Sequence, residues 1–542
     1  MPRRVPLLAM TKAHLAPFRA KRRSLVTTFE NDYKNHEHGM RVLLINSNRK
    51  SDVLAAPPIG LCYVATATQR AGHDVAVVDL CFQRRPIERV RRVVSEFKPE
   101  VLGVSIRNID NCNMLHPRSY LEEIKAMLNE IRTFTDACIV VGGSGASIYP
   151  KGVLEYLEAD YIVVSEGEEA FPRLLEHIES GICPEQAPGV GFKRDGQCIL
   201  NPPALTRFGC TRADVGRWID LRPYQAMGSS YTIQSRRGCR NKCIYCTYNQ
   251  LLEGQALRLR DPRDVVDEIE EAISRYRPRS FEFVDSVFND PLDHCGQVLE
   301  EIIRRPWKAS FTAMGVSPRG LDAGFLQLMQ RAGFNSFWVT PESASATMIR
   351  NYRKGFTLDD IVAAADAIRA TKFTVLWDFL IGGPGETNHT LQETLDFILR
   401  DLVRDTRPPY YTINFFLGVR VYPGTTLWDV AMNQGFLSPK SDPLQQLWYV
   451  SPSLDLDQAL AQMVEAARSC PEIISGIDEK YLELSGIARV LGKFFTVPKL
   501  YWRLMYAGNK MARKAALRIS FDQRRIVNDI KRQLASQGYS LP

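Results

Sequence analysis

The chain has 542 residues, 45% of them apolar, and a formal net charge of +8, enough length for two or three domains with sizeable cores. No run of 18 or more apolar residues occurs, which argues against a spanning helix, and twelve cysteines scattered apart from one trio argue against a disulfide scaffold and for a reducing, cytoplasmic setting. The first 29 residues carry seven Lys/Arg and no acid, as organelle-targeting segments and basic tails do. Met40 stands directly before a strand-like run, so residues 1–39 are expected to be a disordered basic tail without function.

From 41 to about 180, short runs rich in Val and Ile alternate with segments of helical length. The runs 41–45, 75–80, 101–106, 138–142 and 161–165 have the length and composition of strands buried on both faces. With helices such as 117–133 between them, they predict an α/β fold: a doubly wound parallel sheet, which binds its ligand at the strands' carboxyl ends. Those ends carry Ser105, Arg107, Asn108 and Asn111 after the third run, Gly142-Gly143-Ser144-Gly145 after the fourth, and Glu166-Gly167-Glu168 after the fifth. Consecutive glycines let a ligand approach the backbone, and Ser and Asn can hydrogen-bond amides, although ordinary loops use the same residues. No Gly-x-Gly-x-x-Gly follows the first run, so a dinucleotide is not favoured; Pro57-Pro58-Ile59-Gly60-Leu61 opens the first helix instead. Residues 181–230, rich in Pro, Gly and Arg, read as a connection with a hairpin, the linker proper at 201–230.

After a strand at 231–235 comes Arg237-Gly238-Cys239-Arg240-Asn241-Lys242-Cys243-Ile244-Tyr245-Cys246, which offers three thiolates on one loop. Thiolates hold zinc or an iron–sulfur cluster. Zinc would want a fourth ligand nearby, yet no His lies between 178 and 293 and the nearest other cysteines are Cys210 and Cys295. Three ligands on a four-iron cluster would leave one iron open. Further strand signals at 280–284, 309–314, 335–340, 373–381 and 411–417 bring the count to six, which predicts a partial (β/α)6 barrel over 231–440. Helix 262–276 places Val265, Val266, Ile269 and Ile273 on one face, and Thr390-x-x-Glu393 looks like a capping box. The strand ends carry Asp285-Ser286, Pro341-Glu342-Ser343 with Lys354 downstream, Gly382-Gly383-Pro384-Gly385-Glu386 and Tyr422-Pro423-Gly424. Residues 441–542 read as a helical C-terminal segment, with helices at 456–469 and 478–492 before the aromatics Phe494, Phe495, Tyr501, Trp502 and Tyr506; a cap over the barrel and a substrate contact are both open readings.

The cysteine spacing, with Tyr245 before the third Cys, resembles the radical S-adenosylmethionine (SAM) superfamily. The preceding α/β region resembles the cobalamin-binding domain found upstream of many such barrels. The resemblance implies a [4Fe-4S] cluster on Cys239, Cys243 and Cys246, with SAM on the open iron. It places SAM near Tyr245, Asp285, Glu342, Ser343 and the turn Gly382, Gly383, Gly385, and a cobalamin in the domain 40–200 near Ser105, Arg107, Asn108, Gly142, Gly143, Ser144, Glu166 and Gly167. The family's Asp-x-His-x-x-Gly signature is missing, since Leu80 and Cys81 follow Asp79; this implies a cobalt without a protein histidine below it.

The function this resemblance implies is a cobalamin-dependent radical SAM methyltransferase acting on an unactivated carbon of a small-molecule or peptide substrate. Flavodoxin or ferredoxin would supply electrons, with neither nucleic acid nor a membrane span involved. The alternatives are a non-methylating rearrangement, cyclisation or oxidation with the same cofactors, and a polar methylation of an aromatic ring. A cobalamin sensor with a degenerate barrel is opposed by the intact trio. A tRNA methylthiotransferase would need a second cysteine set on the first domain's loops, where only Cys112 suits.

Overall fold

The Val- and Ile-rich runs pair in parallel as β1 (Arg41–Asn46), β2 (Asp74–Asp79), β3 (Val101–Ser105), β4 (Cys138–Gly142) and β5 (Tyr161–Val163). Their spatial order is β2-β1-β3-β4-β5. The computed structural model describes residues 39–49, 55–403, 410–470, 472–473 and 523–539. Because β1 lies between β2 and β3, the chain reverses its winding there, and the crevice beyond the carboxyl ends of β1 and β3 is where such sheets take ligands. Helices Ile59–Arg70 and Gly167–Ser180 pack on one face of the sheet; Pro86–Phe97, Leu121–Arg132 and Pro150–Leu157 pack on the other.

Two strands extend this sheet in antiparallel fashion: β6 (Val190–Arg194) and β7 (Gln197–Leu200). They are joined by Asp195-Gly196, both at positive φ, the pairing that matches a hairpin's right-handed twist. The stretch 201–230 is packed rather than extended. Helices Val215–Trp218 and Leu221–Ala226 bury Val215, Leu221 and Tyr224, and Tyr224 donates its hydroxyl to Asp79 at 2.9 Å.

The barrel strands are β8 (Tyr231–Ile233), β11 (Phe281–Phe283), β12 (Phe311–Val316), β13 (Phe334–Glu342), β14 (Thr374–Ile381) and β15 (Tyr410–Leu417), all parallel, in order β8-β11-β12-β13-β14-β15. A small antiparallel pair, β9 (Arg236–Arg237) with β10 (Arg258–Leu259), brackets the cysteine loop. The strands alternate. Phe281, Phe283, Phe311, Phe337, Trp377 and Phe379 are fully or almost fully buried in the core shared with the surrounding helices, while Glu282, Thr312, Asp378 and Asn414 face the lumen.

The helix after β14 begins three residues earlier than its sequence suggests. Thr387 is the N-cap and Thr390 its third residue, each side chain accepting the other's backbone N–H at 3.2 and 3.0 Å. Beyond the barrel, β16 (Val419–Arg420) pairs with β17 (Trp448–Tyr449), and helices Leu456–Ser469 and Gln523–Ser536 pack together. The expected helix 478–492 and the aromatics at 494–506 lie outside the described residues.

Candidate cofactor sites at the strand ends

The cysteine loop is short and polar, so its shape has to come from bonds to its backbone. Arg236, fully buried, supplies them on one side: its guanidinium donates to the carbonyls of Val287 (2.9 Å), Asp290 and Gly238. Gly238 stands at φ +85°, and a Cβ there would come within 2.0 Å of the Ala256 carbonyl oxygen, so only glycine fits. Gln250 holds the other side, its amide donating to the carbonyls of Cys243 (2.9 Å), Ile244 (3.2 Å) and Cys246 (3.1 Å). Its Oε1 accepts from the Thr426 N–H at 2.9 Å, which ties the loop to the far end of the barrel.

Cys239 and Cys243 are buried and Cys246 half-buried. Burial pushes all three thiols up, Cys246 to about 11, and each lies within reach of another's charge. Uncoordinated thiols here would stay protonated; binding to iron is what would make thiolates of them. Among the described residues no three His, Cys, Asp or Glu side chains converge on one point as a single metal ion would need. A cluster takes each cysteine on a separate iron, so it does not ask the trio to converge on one point.

Beside the trio, Lys354 donates to Glu342 at 2.9 Å and to the Tyr245 hydroxyl at 3.1 Å, and Tyr245 donates to Glu342. Glu342 sits at φ +63°, an uncommon conformation for a non-glycine residue, at the end of β13. The glycine turn is held by Glu386, whose Oε2 accepts the N–H groups of Gly382 (2.7 Å) and Gly383 (3.3 Å). Gly383 packs so closely on Tyr352 that a Cβ would meet its hydroxyl at 2.3 Å. Two of the expected SAM contacts are turned elsewhere. Asp285 accepts from Ser235 N–H (2.8 Å), Ser235 Oγ (2.6 Å) and Arg236 N–H (3.1 Å), so it fixes the turn into the cysteine loop. Ser343 is fully buried, hydrogen-bonded to Thr394 Oγ1 at 2.8 Å and accepting from Ser345 N–H at 3.1 Å.

Between the first sheet and the barrel lies a cleft lined from both sides. Ser105, Arg107, Gly142, Gly143, Ser144, Glu166 and Gly167 all line it; Asn108 does not and faces a neighbouring pocket. Gly143, at φ +99°, crosses 2.7 Å below the Ile106 carbonyl oxygen measured from a Cβ placed on it. Pro57 to Gly60 line the same wall, as do Gln234, Arg237, Tyr248, Leu252 and Glu253 of the barrel, which sequence reading did not assign. Among the described residues no histidine lines it. The glycine wall and the small polar strand ends fit a cobalamin without a protein imidazole.

Glu166 has a second engagement. Arg258 donates to both its oxygens at 2.6 Å, and Thr206 N–H donates at 2.9 Å. Burial alone would raise this carboxyl; the Arg258 hydrogen bonds and the Arg237 charge hold it below its ordinary value. Arg237 donates to Glu168 at 2.5 Å and lies over the rings of Tyr63 and Phe208. Cys112, the only candidate for a second cysteine set, is engaged with the Tyr422 hydroxyl at 3.0 Å. The partners of Arg236, Gln250 and Arg237 lie up to 176 residues away, so nothing local in sequence marks them.

Comparison with known proteins agrees with this geometry. The B12 binding domain family matches residues 48–175, and the Radical SAM superfamily matches residues 233–398. An uncharacterized methyltransferase of Pyrococcus horikoshii is 23% identical over 412 residues, covering 73% of this chain and 84% of its own. The cytidylyl-2-hydroxyethylphosphonate methyltransferase of Streptomyces wedmorensis is 22% identical over 445 residues, 71% of this chain and 79% of its own. The fold is shared with the radical S-adenosylmethionine methyltransferase TsrM of Kitasatospora setae, solved with tryptophan and a SAM analogue, at a TM-score of 0.75 and 23% identity over 88% of this chain and all of that one. No helix among the described residues is long and apolar enough to cross a membrane. With a B12-binding domain opening onto a radical SAM barrel that carries its cysteine trio, the chain is an enzyme of the radical SAM superfamily, in the group that binds cobalamin.

Proposed function

We propose that this enzyme is a C-methyltransferase, moving a methyl group from SAM by way of cobalamin to an unactivated carbon of a small-molecule or peptide substrate. The observation that carries the reading is that one cleft is walled by both domains: strand ends of the first sheet on one side, and Tyr248, Leu252 and Glu253, just after the cysteine loop, on the other. When bound, the cluster, SAM and cobalamin supply the electron, the radical-generating bond and the methyl carrier.

The chain's own residues position and exclude. Cys239, Cys243 and Cys246 would hold the cluster, with Arg236 and Gln250 fixing their loop. Glu342, Lys354 and Tyr245 would hold SAM beside it, and Gly382, Gly383 and Gly385 would pass their backbone along its adenosine. Asp285 and Ser343 act here as positioning residues. Tyr248, 46% exposed toward the cleft, would shield the space between the two cofactors from water. The lumen of the barrel would be the substrate chamber. We place the working protein in the cytoplasm with flavodoxin or ferredoxin as donor, and take residues 40–200 as the cobalamin domain, 231–440 as the barrel and 441–542 as its helical extension.

The test is anaerobic reconstitution with iron, sulfide and cobalamin, then reaction with a strong reductant, methyl-deuterated SAM and a metabolite extract. A product carrying the three deuteriums on carbon is expected, with S-adenosylhomocysteine formed alongside. SAM cleavage without any deuteromethyl product would replace this reading with a non-methylating rearrangement or cyclisation.

A further inference from the structure

Register fixes what the barrel shows to its lumen. Glu282 on β11 pairs with Thr312 on β12 and Thr232 on β8, and Asp378 on β14 pairs with Asn414 on β15, all on the inward face. Asn414 donates its amide to Asp378 at 2.7 Å, and among the described residues neither carboxyl forms an ion pair. Lys354, at the barrel's end, is already engaged with Glu342 at 2.9 Å. Burial pushes Glu282 up to about 7 against the charge of Arg107, and Asp378 up to about 7, with Asn414 opposing and Glu342 adding to the rise. The protein thus leaves the burial of two carboxyls largely uncompensated.

Two further features of the same surface lack a partner. Thr232 and Thr374, 2% and 1% exposed, face inward with hydroxyls that no protein group bonds. Phe416 on β15 is 46% exposed, although it shares the inward face with Asn414 two residues before it. A large apolar side chain left open beside buried acids describes a ligand with a cationic end and an apolar body.

We propose that the substrate carries a protonated amine on an apolar body, the amine facing Asp378 and Glu282 and the body lying against Phe416. This rests on reading the lumen as the substrate chamber. SAM is also cationic, so its binding has to be followed separately.

The experiment uses the full chain loaded with cluster and cobalamin, and three probes of one shape and different charge: 2-phenylethylammonium, 2-phenylethanol and 3-phenylpropionate. Dissociation constants come from saturation-transfer NMR. The amine should bind about tenfold more tightly than the other two. Asp378→Asn and Glu282→Gln, both near-isosteric, should each weaken the amine about tenfold, leave the alcohol unchanged and leave SAM affinity within about twofold. Equal binding of the three probes to the wild type, which needs no variant, would overturn the proposal, as would no binding of any. So would amine binding indifferent to both substitutions, or loss of SAM affinity in them, which would assign the carboxyls to SAM. Charge preference is read in binding, so a finding that no methyl is transferred would defeat the function proposed above and leave this one standing.

Discussion

The cobalamin cleft and the cysteine loop are both strand-end sites, yet they are built by opposite means. On the first sheet the wall is mainly backbone, glycine and small side chains, and its shape follows from the crossing of strand ends: Gly143 under the Ile106 carbonyl, Gly103 against Leu44. In the barrel the loop has no shape of its own and is held by long side chains, Arg236 and Gln250, that reach in and bond its carbonyls. One site is defined by what is left out, the other by what is tied down. The first should therefore break by steric intrusion and the second by losing a donor.

The largest effect expected is on the ligands themselves. Changing Cys239, Cys243 and Cys246 together to Ala should take iron from about four per chain after reconstitution to none, while cobalamin binding persists; a triple variant that keeps its iron would end the assignment. Next is Arg236→Met, which leaves the carbonyls of Gly238, Val287 and Asp290 without that donor at a cost of about 3–5 kcal/mol. It should lower the melting temperature and empty the cluster site, and a fully loaded variant would show that the loop has a shape of its own after all. The counterpart on the first sheet is Gly143→Ala, which forces a Cβ toward a backbone carbonyl at positive φ, at about 1–3 kcal/mol. Cobalamin affinity should fall by about tenfold or more with iron content unchanged. If both ligands are lost together, the two sites are not separable in this way.

The smallest effect sharpens the role of Glu386, which ties the glycine turn as Arg236 ties the loop. Burial pushes this carboxyl from 4.5 up to about 7, against the two glycine N–H groups that favour its charge. Between those values the native chain keeps a proton that the unfolded chain has lost, so the contribution to stability falls as pH rises through the window and is flat above it. Glu386→Gln titrates at no pH. Its melting temperature relative to wild type should rise by about 2 °C from pH 5 to pH 8; a constant difference would mean that Glu386 is already ionised throughout.

Much of the fold is legible because it rests on periodicity. Strands buried on both faces are written as runs of Val and Ile, and the helix Pro262–Tyr276 has the predicted bounds because a proline opens it and its apolar face repeats cleanly. The cap at Thr387 was harder to see: Thr390 offers the same chemistry three residues on, and only the geometry shows that the two bond each other. The site divides along the same line. Cysteine spacing and paired glycines are local signals and could be read. Asp285 and Ser343 stand where ligand contacts are expected, but which donors a carboxylate or hydroxyl serves depends on chain 50 residues away. Arg236 and Arg237, adjacent in sequence to the first cysteine, read as ordinary basic residues until their partners are in view.

Arg237 has a consequence for energetics at a distance. It is one peptide removed from Gly238-Cys239, yet its guanidinium is held by Glu168 and Tyr63 of the first domain and by Phe208 of the connecting stretch. The segment bearing the first thiol is thus shared property of the two ligand sites. Occupancy of either should stiffen it for the other, and linkage requires the effect to be reciprocal: whatever factor the cluster adds to cobalamin affinity, cobalamin adds to the cluster's.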